Sequence, residues 1–314
     1  ANAAGLTLTG VQTTDGGSYT VVVSNPGGAI ESAPAVLTVV AAGPTVVLQE
    51  RFADGERAAQ ALPASAAWFS SSGGSNVVTT VGQLTHVVSS ARTVLAYLTN
   101  AAGTPVTIGA GQTLTLDFTV QFSGFDINAT GATPSTFVVG LLRSVANPTA
   151  TAGLAGFTPD GPPNTIARVN GDFTSNNPTN GVFLNYGGYA AMTTVEAASF
   201  ATPVRLYART GASASLLNST SPFTVLTGAA PTASAAMTVG TDYHGTMTLQ
   251  NTGSGMAVAY TLREASTNAV VMSYSTLQPA ATSTQIDTVA FYVSKATTSA
   301  TYNFVVKAVD VSLF

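Results

Sequence analysis

The chain contains no cysteine, which removes disulfides, thiol nucleophiles and thiolate metal sites. Charge is scarce as well, with Lys, Arg, Asp and Glu together making up 8% of 314 residues. The 10 basic residues form no run, and the net charge is −4. A nucleic-acid partner is therefore not expected, since such partners are held by clustered Lys and Arg. No apolar stretch has the length of a membrane helix, so no transmembrane segment is expected. No nucleophile elbow, phosphate loop, zinc pair or dinucleotide fingerprint occurs. Ala1 does not open a signal-peptide pattern, so the numbering is expected to begin after processing or inside a longer polypeptide.

Low charge does not mean disorder here. Hydrophobic residues reach 45% and recur in strand-length pieces. Thirty glycines and 15 prolines punctuate those pieces, and Thr, Ser and Asn supply the polar surface. Zero cysteine and this surface chemistry point to an extracellular or bacterial cell-surface protein.

Three strands are expected near the N-terminus: Leu6 to Val11, Ser18 to Ser24 and Ala35 to Val40. They are separated by the turns Asp15-Gly16-Gly17 and Asn25-Pro26-Gly27-Gly28. Together with Tyr19 and Leu37-Thr38-Val39, this stretch resembles the last part of a bacterial immunoglobulin-like domain. The resemblance implies a turn-and-corner feature of Asp15 and Tyr19, with Tyr19 packing its ring and bonding the backbone. Three strands cannot bury a face without another layer. Residues 1–40 are thus expected to self-associate or to pack on a second domain, as the C-terminal piece of something longer.

Ala41-Ala42-Gly43-Pro44 reads as a joint between a partial module at 1–42 and a second domain at 46–314. Within the second, Leu114, Leu116, Phe118, Val120 and Phe122 alternate with polar residues, the pattern of a half-buried antiparallel strand. Further strands are expected at 137–143, 204–209, 245–250, 256–262, 270–274, 288–293 and 301–311. Ala58 to Ala67 is Ala-rich and reads as one or two helical turns interrupted by Pro63. The fold class is all-β, an antiparallel jelly-roll (lectin-like) sandwich after a partial immunoglobulin-like module. Tyr243-His244-Gly245-Thr246-Met247-Thr248-Leu249, Ile286-Asp287-Thr288-Val289 and Tyr302-Asn303-Phe304-Val305-Val306 resemble the closing strands of concanavalin A-like bacterial domains. Glu50-Arg51-Phe52-Ala53-Asp54-Gly55 resembles the opening strand. That resemblance implies polysaccharide binding or degradation, or an adhesive or structural role.

Candidate ligand residues follow from strand parity. Arg205, Tyr207 and Arg209 share one face of their strand, and guanidinium forks beside a phenol suit an acidic or hydroxyl-rich sugar. Arg143, ending another strand, is added to them. Tyr186 and Tyr189, flanking Gly187-Gly188, are candidate exposed platforms, and Trp68 beside Phe69 is either a core anchor or a platform. The Asn-, Pro- and Gly-rich stretch from Ser144 to Asn180 reads as a long crossover or a functional loop.

Catalysis finds less support. The glutamates Glu31, Glu50, Glu56, Glu196 and Glu264 form no alternating acidic strand motif for a glycosidase. His86 and His244 are the only histidines, and a lyase built from His244, Arg205 and Tyr207 has no local motif behind it. The resemblance implies a structural calcium clipping the first strand to the last, with Glu50, Asp54 and Asp310 as ligands. The resulting reading is a noncatalytic extracellular glycan-binding module. A structural or adhesive fibre component and a polysaccharide lyase or glycoside hydrolase are the alternatives.

Overall fold

The structure is a computed structural model that describes residues 7–40, 43–71, 74, 76–100, 104–123, 135–144, 168–169, 171–173, 182–195, 204–218, 221–228, 233–234, 237–294 and 301–314. Its contacts divide the chain into two units, Ala1–Pro44 and Thr45–Phe314. Most of the stretch from Ser144 to Asn180 lies outside the described residues.

In the first unit, Gly17–Tyr19 pairs with Ala35–Leu37, and Val22–Asn25 forms a hairpin with Gly28–Glu31. The Tyr19 hydroxyl donates to the Asp15 carbonyl at 2.5 Å, but the residue is 39% exposed rather than packed. Two strand expectations fail as well. Residues 7–11 form no ladder and lead into a single 3-10 turn, Thr13–Asp15. The strand expected over Ser18 to Ser24 breaks at 20–21, because Val21 exchanges bonds with Ser32, whose Oγ and backbone N take its N–H and C=O. None of the described residues of this unit is buried, and Val22, Ile30 and Val36 are 60%, 74% and 77% exposed.

The second unit is a jelly-roll sandwich of two antiparallel sheets. One sheet has nine strands, in the order Ala233–Ser234, Val270–Gln278, Met256–Glu264, Asp242–Asn251, Thr113–Ser123, Tyr302–Leu313, Gln83–Val88 and Val77–Thr80, with Thr45–Glu50 also on Tyr302–Leu313. The other has seven, in the order Phe223–Val225, Val204–Arg209, Gly187–Thr194, Thr136–Arg143, Thr288–Val293, Arg92–Tyr97 and Trp68–Ser70. The chain passes repeatedly from one sheet to the other, which interleaves early and late strands in both.

The two sheets bury themselves differently. Thr113–Ser123 alternates strictly between buried and half-exposed positions, as does most of Asp242–Asn251, so the nine-stranded sheet keeps a wet outer face. In the seven-stranded sheet, Thr288–Val293 is buried at every position. Val94 and Ala96 enter the core between the sheets, whereas Leu95 and Tyr97 join a second cluster on the outer face. That cluster is completed by Val169, Phe173, Val182, Phe183, Leu216 and Leu217, which lie outside the strands and form a third layer.

Between the sheets, Phe118, Phe122, Phe137, Phe291 and Phe304 pack with ring centroids 5.3–6.1 Å apart. Each fully buried side chain of this size contributes about 1.5–3 kcal/mol. Phe118 lies over Gly245, its register partner, where a Cβ would fall 2.0 Å from the ring. Trp68 is 1% exposed and stacks on Phe291 at 6.1 Å, which settles it as a core anchor. Ala58 to Ala67 is not helical, but folds back through an isolated bridge between Ala61 and Ser65.

Tyr302–Leu313 contains a bulge that shifts the parity of its last residues. Thr119 pairs with Ala308 and Val120 with Val306, leaving Lys307 as the extra residue. Tyr302, Phe304 and Val306 point inwards before it, and Val309 and Val311 after it. Asp310 therefore stands on the outer face rather than with Tyr302 and Phe304.

Candidate functional site

One end of the seven-stranded sheet carries an open cleft of about 520 Å³, walled by segments 184–187, 209–212 and 280–282. Strand register assembles it. Gly188 pairs with Leu142 on one side and Arg209 on the other, and Gly187 pairs with Arg143. Gly188 has φ +134°, and a Cβ there would sit 2.4 Å from the Leu141 carbonyl oxygen. Only glycine lets the chain turn into the strand at this point.

Arg209 is 1% exposed and serves as the staple of the cleft wall. Its Nη1 donates to the Tyr186 carbonyl, and its Nη2 reaches the carbonyls of Phe183, Ser213 and Ser215 at 2.8–2.9 Å. The Nε–H is buried without an acceptor. Burial pulls the guanidinium down to about 10, with the Tyr186 phenol acting weakly the other way.

The two tyrosines expected as exposed platforms are both buried, Tyr186 at 2% and Tyr189 at 0% exposure. Gly187-Gly188 is the start of a strand rather than a loose turn, and this draws both rings into the protein. The Tyr189 hydroxyl accepts from the Thr282 backbone N at 2.8 Å and so pins the opposite cleft wall from within. The Tyr186 hydroxyl meets that of Tyr97 at 3.1 Å, and the Tyr97 oxygen also accepts from Val169 N. Burial raises both phenols above their ordinary range.

Arg205, Tyr207 and Arg209 do share the outer face of their strand, but not as a clamp. Arg205 is exposed, whereas Tyr207 is 5% exposed and packs edge-on against Phe223. Arg143, opposite Gly187, is half-buried, and its Nε has no acceptor. The cleft thus brings together Arg209 and Tyr186, with Arg143 and Tyr189 behind it, while Arg205 and Tyr207 lie further along the sheet.

A buried network extends from this end of the sheet. Arg168 and Asp287 form an ion pair at 3.0 Å with 3% and 0% side-chain exposure. Asp287 also accepts from Ser144 N, Ser144 Oγ and Thr288 Oγ1. Arg168 reaches Thr99 and covers the Tyr97 ring at 4.5 Å. These positions escaped the sequence reading, since 119 residues separate the two charges and nothing local marks them as partners.

The proposed calcium ligands do not gather. The Glu50 carboxylate is 2% exposed and accepts from Arg51 N, Phe52 N, Ser65 Oγ, Ala66 N and Trp68 Nε1. Donor protons point at both of its oxygens, and a cation cannot occupy those directions. Asp310 pairs with Arg51 at 2.7 Å, and Asp54 caps Glu56 N. The residues present do not fit a calcium ion. Among the described residues, no three His, Asp or Glu side chains form a metal-holding group.

The lyase constellation is not assembled either. His244 stands on the outer face of the nine-stranded sheet, 3.6 Å from Asp117, while Arg205 stands on the outer face of the seven-stranded one. Packed sheets lie about 10 Å apart, so the whole sandwich separates them. His86 is 1% exposed and faces the interior. Among the described residues, no helix is long and apolar enough to cross a membrane.

No family model matches the sequence, and no curated protein does. Among solved structures, a basic winged bean lectin with Tn-antigen is 10% identical, with a TM-score of 0.41, over 79% of this chain and 92% of that one. The carbohydrate recognition domain of Emp47p is 9% identical, with a TM-score of 0.44, over 86% and 96%. Arcelin-5, a lectin-like defense protein from Phaseolus vulgaris, is 12% identical, with a TM-score of 0.40, over 79% and 92%.

Proposed function

We propose that the chain is a noncatalytic extracellular module that binds a glycan in the cleft at the end of the seven-stranded sheet. The supporting observation is the chemistry of the walls. Asn185, Thr210 and Thr282 line the cleft with polar side chains, Thr210 also bonding Thr224 and Thr282 accepting from Gln278, while Gly211, Ala212 and Ala281 leave space. A sugar is recognised by such a mixture of short polar groups and small apolar surface. The walls are held from behind by Arg209 and Tyr189, so the cleft is preformed and little ordering cost opposes binding. The test is calorimetric titration with a panel of neutral and acidic oligosaccharides, for the wild type and for Ala281→Trp, which fills the cleft from an exposed position. Binding by the wild type that A281W abolishes supports the reading. No binding across the panel, or binding unchanged in A281W, overturns it.

A structural or adhesive role is the second reading, favoured by the first unit. Its ladders expose Val22, Ile30 and Val36 and bury none of the described residues, and such surfaces invite pairing with other backbone. Self-association through residues 1–40 would appear as a concentration-dependent mass in analytical ultracentrifugation, reduced by Ile30→Glu. A monomer at all concentrations would remove this reading.

A further inference from the structure

The two buried arginines among the described residues of the second unit differ in one respect. Arg168 is neutralised by Asp287 at 3.0 Å, as the half-buried Arg57 is by Asp172 at 2.6 Å. Among the described residues, Arg209 has no carboxylate partner. Its described acceptors are backbone carbonyls, which offset part of the desolvation cost but carry no net charge. Among the described residues, no acid lines the cleft that Arg209 walls. Arg143 lies two strands from Arg209, opposite Gly187 of the cleft wall, and no carboxylate among the described residues pairs with it. A buried positive charge with no counterion is costly, and an anion arriving nearby lowers that cost.

We infer that the glycan bound in this cleft is an acidic one, whose carboxylate supplies the counter-charge that Arg209 lacks. This rests on the cleft being the glycan site. The guanidinium is 1% exposed, so it acts mainly through its field across the wall. Thr210 and Thr282, whose hydroxyls keep bonding capacity beyond their bonds to Thr224 and Gln278, make the direct contacts. The field is effective because the charge sits in protein rather than water, where screening is weak. The lowering of Arg209 to about 10 by burial agrees with a cation that no acid stabilises. Arg168 and Arg57 exert no comparable pull on a ligand, because each is already paired.

The test compares each acid with its own methyl ester, which keeps the sugar skeleton and removes the charge. Oligosaccharides of galacturonate, glucuronate and N-acetylneuraminate are titrated against the full chain, and the best binder is repeated with A281W. The expected result is at least one acid bound about tenfold or more tighter than its ester, weakening as salt rises, with binding lost in A281W. Equal affinity for acid and ester, both lost in A281W, overturns the inference and leaves the cleft as a site for neutral glycans. Binding that A281W does not alter, or no binding by any acid, ester or neutral oligosaccharide, overturns the glycan reading of the cleft and this inference with it.

Discussion

The carboxylate of Glu50 accepts a hydrogen bond from the indole Nε1 of Trp68 at 3.3 Å, with both residues no more than 2% exposed. The same carboxylate holds the backbone N–H groups of Phe52 and Ala66 at 2.8 and 3.0 Å. It thereby ties the first strand of the sandwich to the turn that brings in Trp68. Phe52, which has φ +51°, is kept in that unusual conformation by this bond and by its packing on Trp68.

Removing the carboxylate leaves several buried donors without an acceptor, each costing about 1–3 kcal/mol. Glu50→Ala is expected to lower stability by about 3 kcal/mol or more in urea denaturation. A loss below about 1 kcal/mol would show that these donors find other acceptors.

Calcium is expected to leave the melting temperature unchanged, as is subsequent chelator. Asp310→Asn breaks an ion pair with Arg51 whose side chains are 46% and 31% exposed, and such pairs contribute about 1 kcal/mol at most. A calcium-dependent rise in melting temperature that Asp310→Asn abolishes would show that the ion binds there after all.

Breaking the buried Arg168–Asp287 pair should be far more costly. Asp287→Ala is expected to destabilise by about 3–5 kcal/mol, because it leaves a buried guanidinium uncompensated. Arg168→Met combined with Asp287→Ala should recover part of that loss in a double-mutant cycle. Additive losses would mean that the two charges act independently.

His86 makes stability depend on acid. Burial holds it down at about 3, helped by the positive charges of Arg92 and Arg57 and opposed by Asp172. The folded value lies below the unfolded one of about 6.5, so the unfolded chain takes up the proton first. The contribution is complete above pH ~6.5 and is lost towards pH ~3, with a slope of about 1.4 kcal/mol per pH unit. His86→Leu, placed between the buried Leu84 and Val88, should flatten that part of the stability profile. Coincident profiles for variant and wild type would exclude His86 as the cause.

How much of this was legible in the sequence depended on how locally it was encoded. Val204–Arg209 and Thr288–Val293 have the expected bounds, and Thr113–Ser123 contains the whole alternating run from Leu114 to Phe122. The Tyr19–Asp15 bond spans four residues, and the resemblance implied a backbone bond from Tyr19 without naming its acceptor. The candidate site was legible only in part. Parity correctly put Arg205, Tyr207 and Arg209 on one face, and Arg209 does wall a cleft. Parity could not show that segments such as 182–186 and 213–217 cover that face.

The sequence by itself determined an antiparallel β-sandwich, because a period of two and well-placed turns are properties of neighbouring residues. Only the tertiary structure decided the fate of the functional candidates. Lys307 occupies a bulge that turns Asp310 outwards to Arg51, and no local pattern announces one extra residue in a ladder. Glu50 lies 18 residues from Trp68, and its carboxylate is filled by donors that fold onto it. Tyr186 is buried in the third layer on the seven-stranded sheet, and Tyr189 in the core between the sheets. Among the described residues, Asp172 and Asp287 pair with Arg57 and Arg168, whereas Arg209 meets backbone carbonyls. Each outcome is a competition among distant groups for the same partners, which is settled only when the chain has packed.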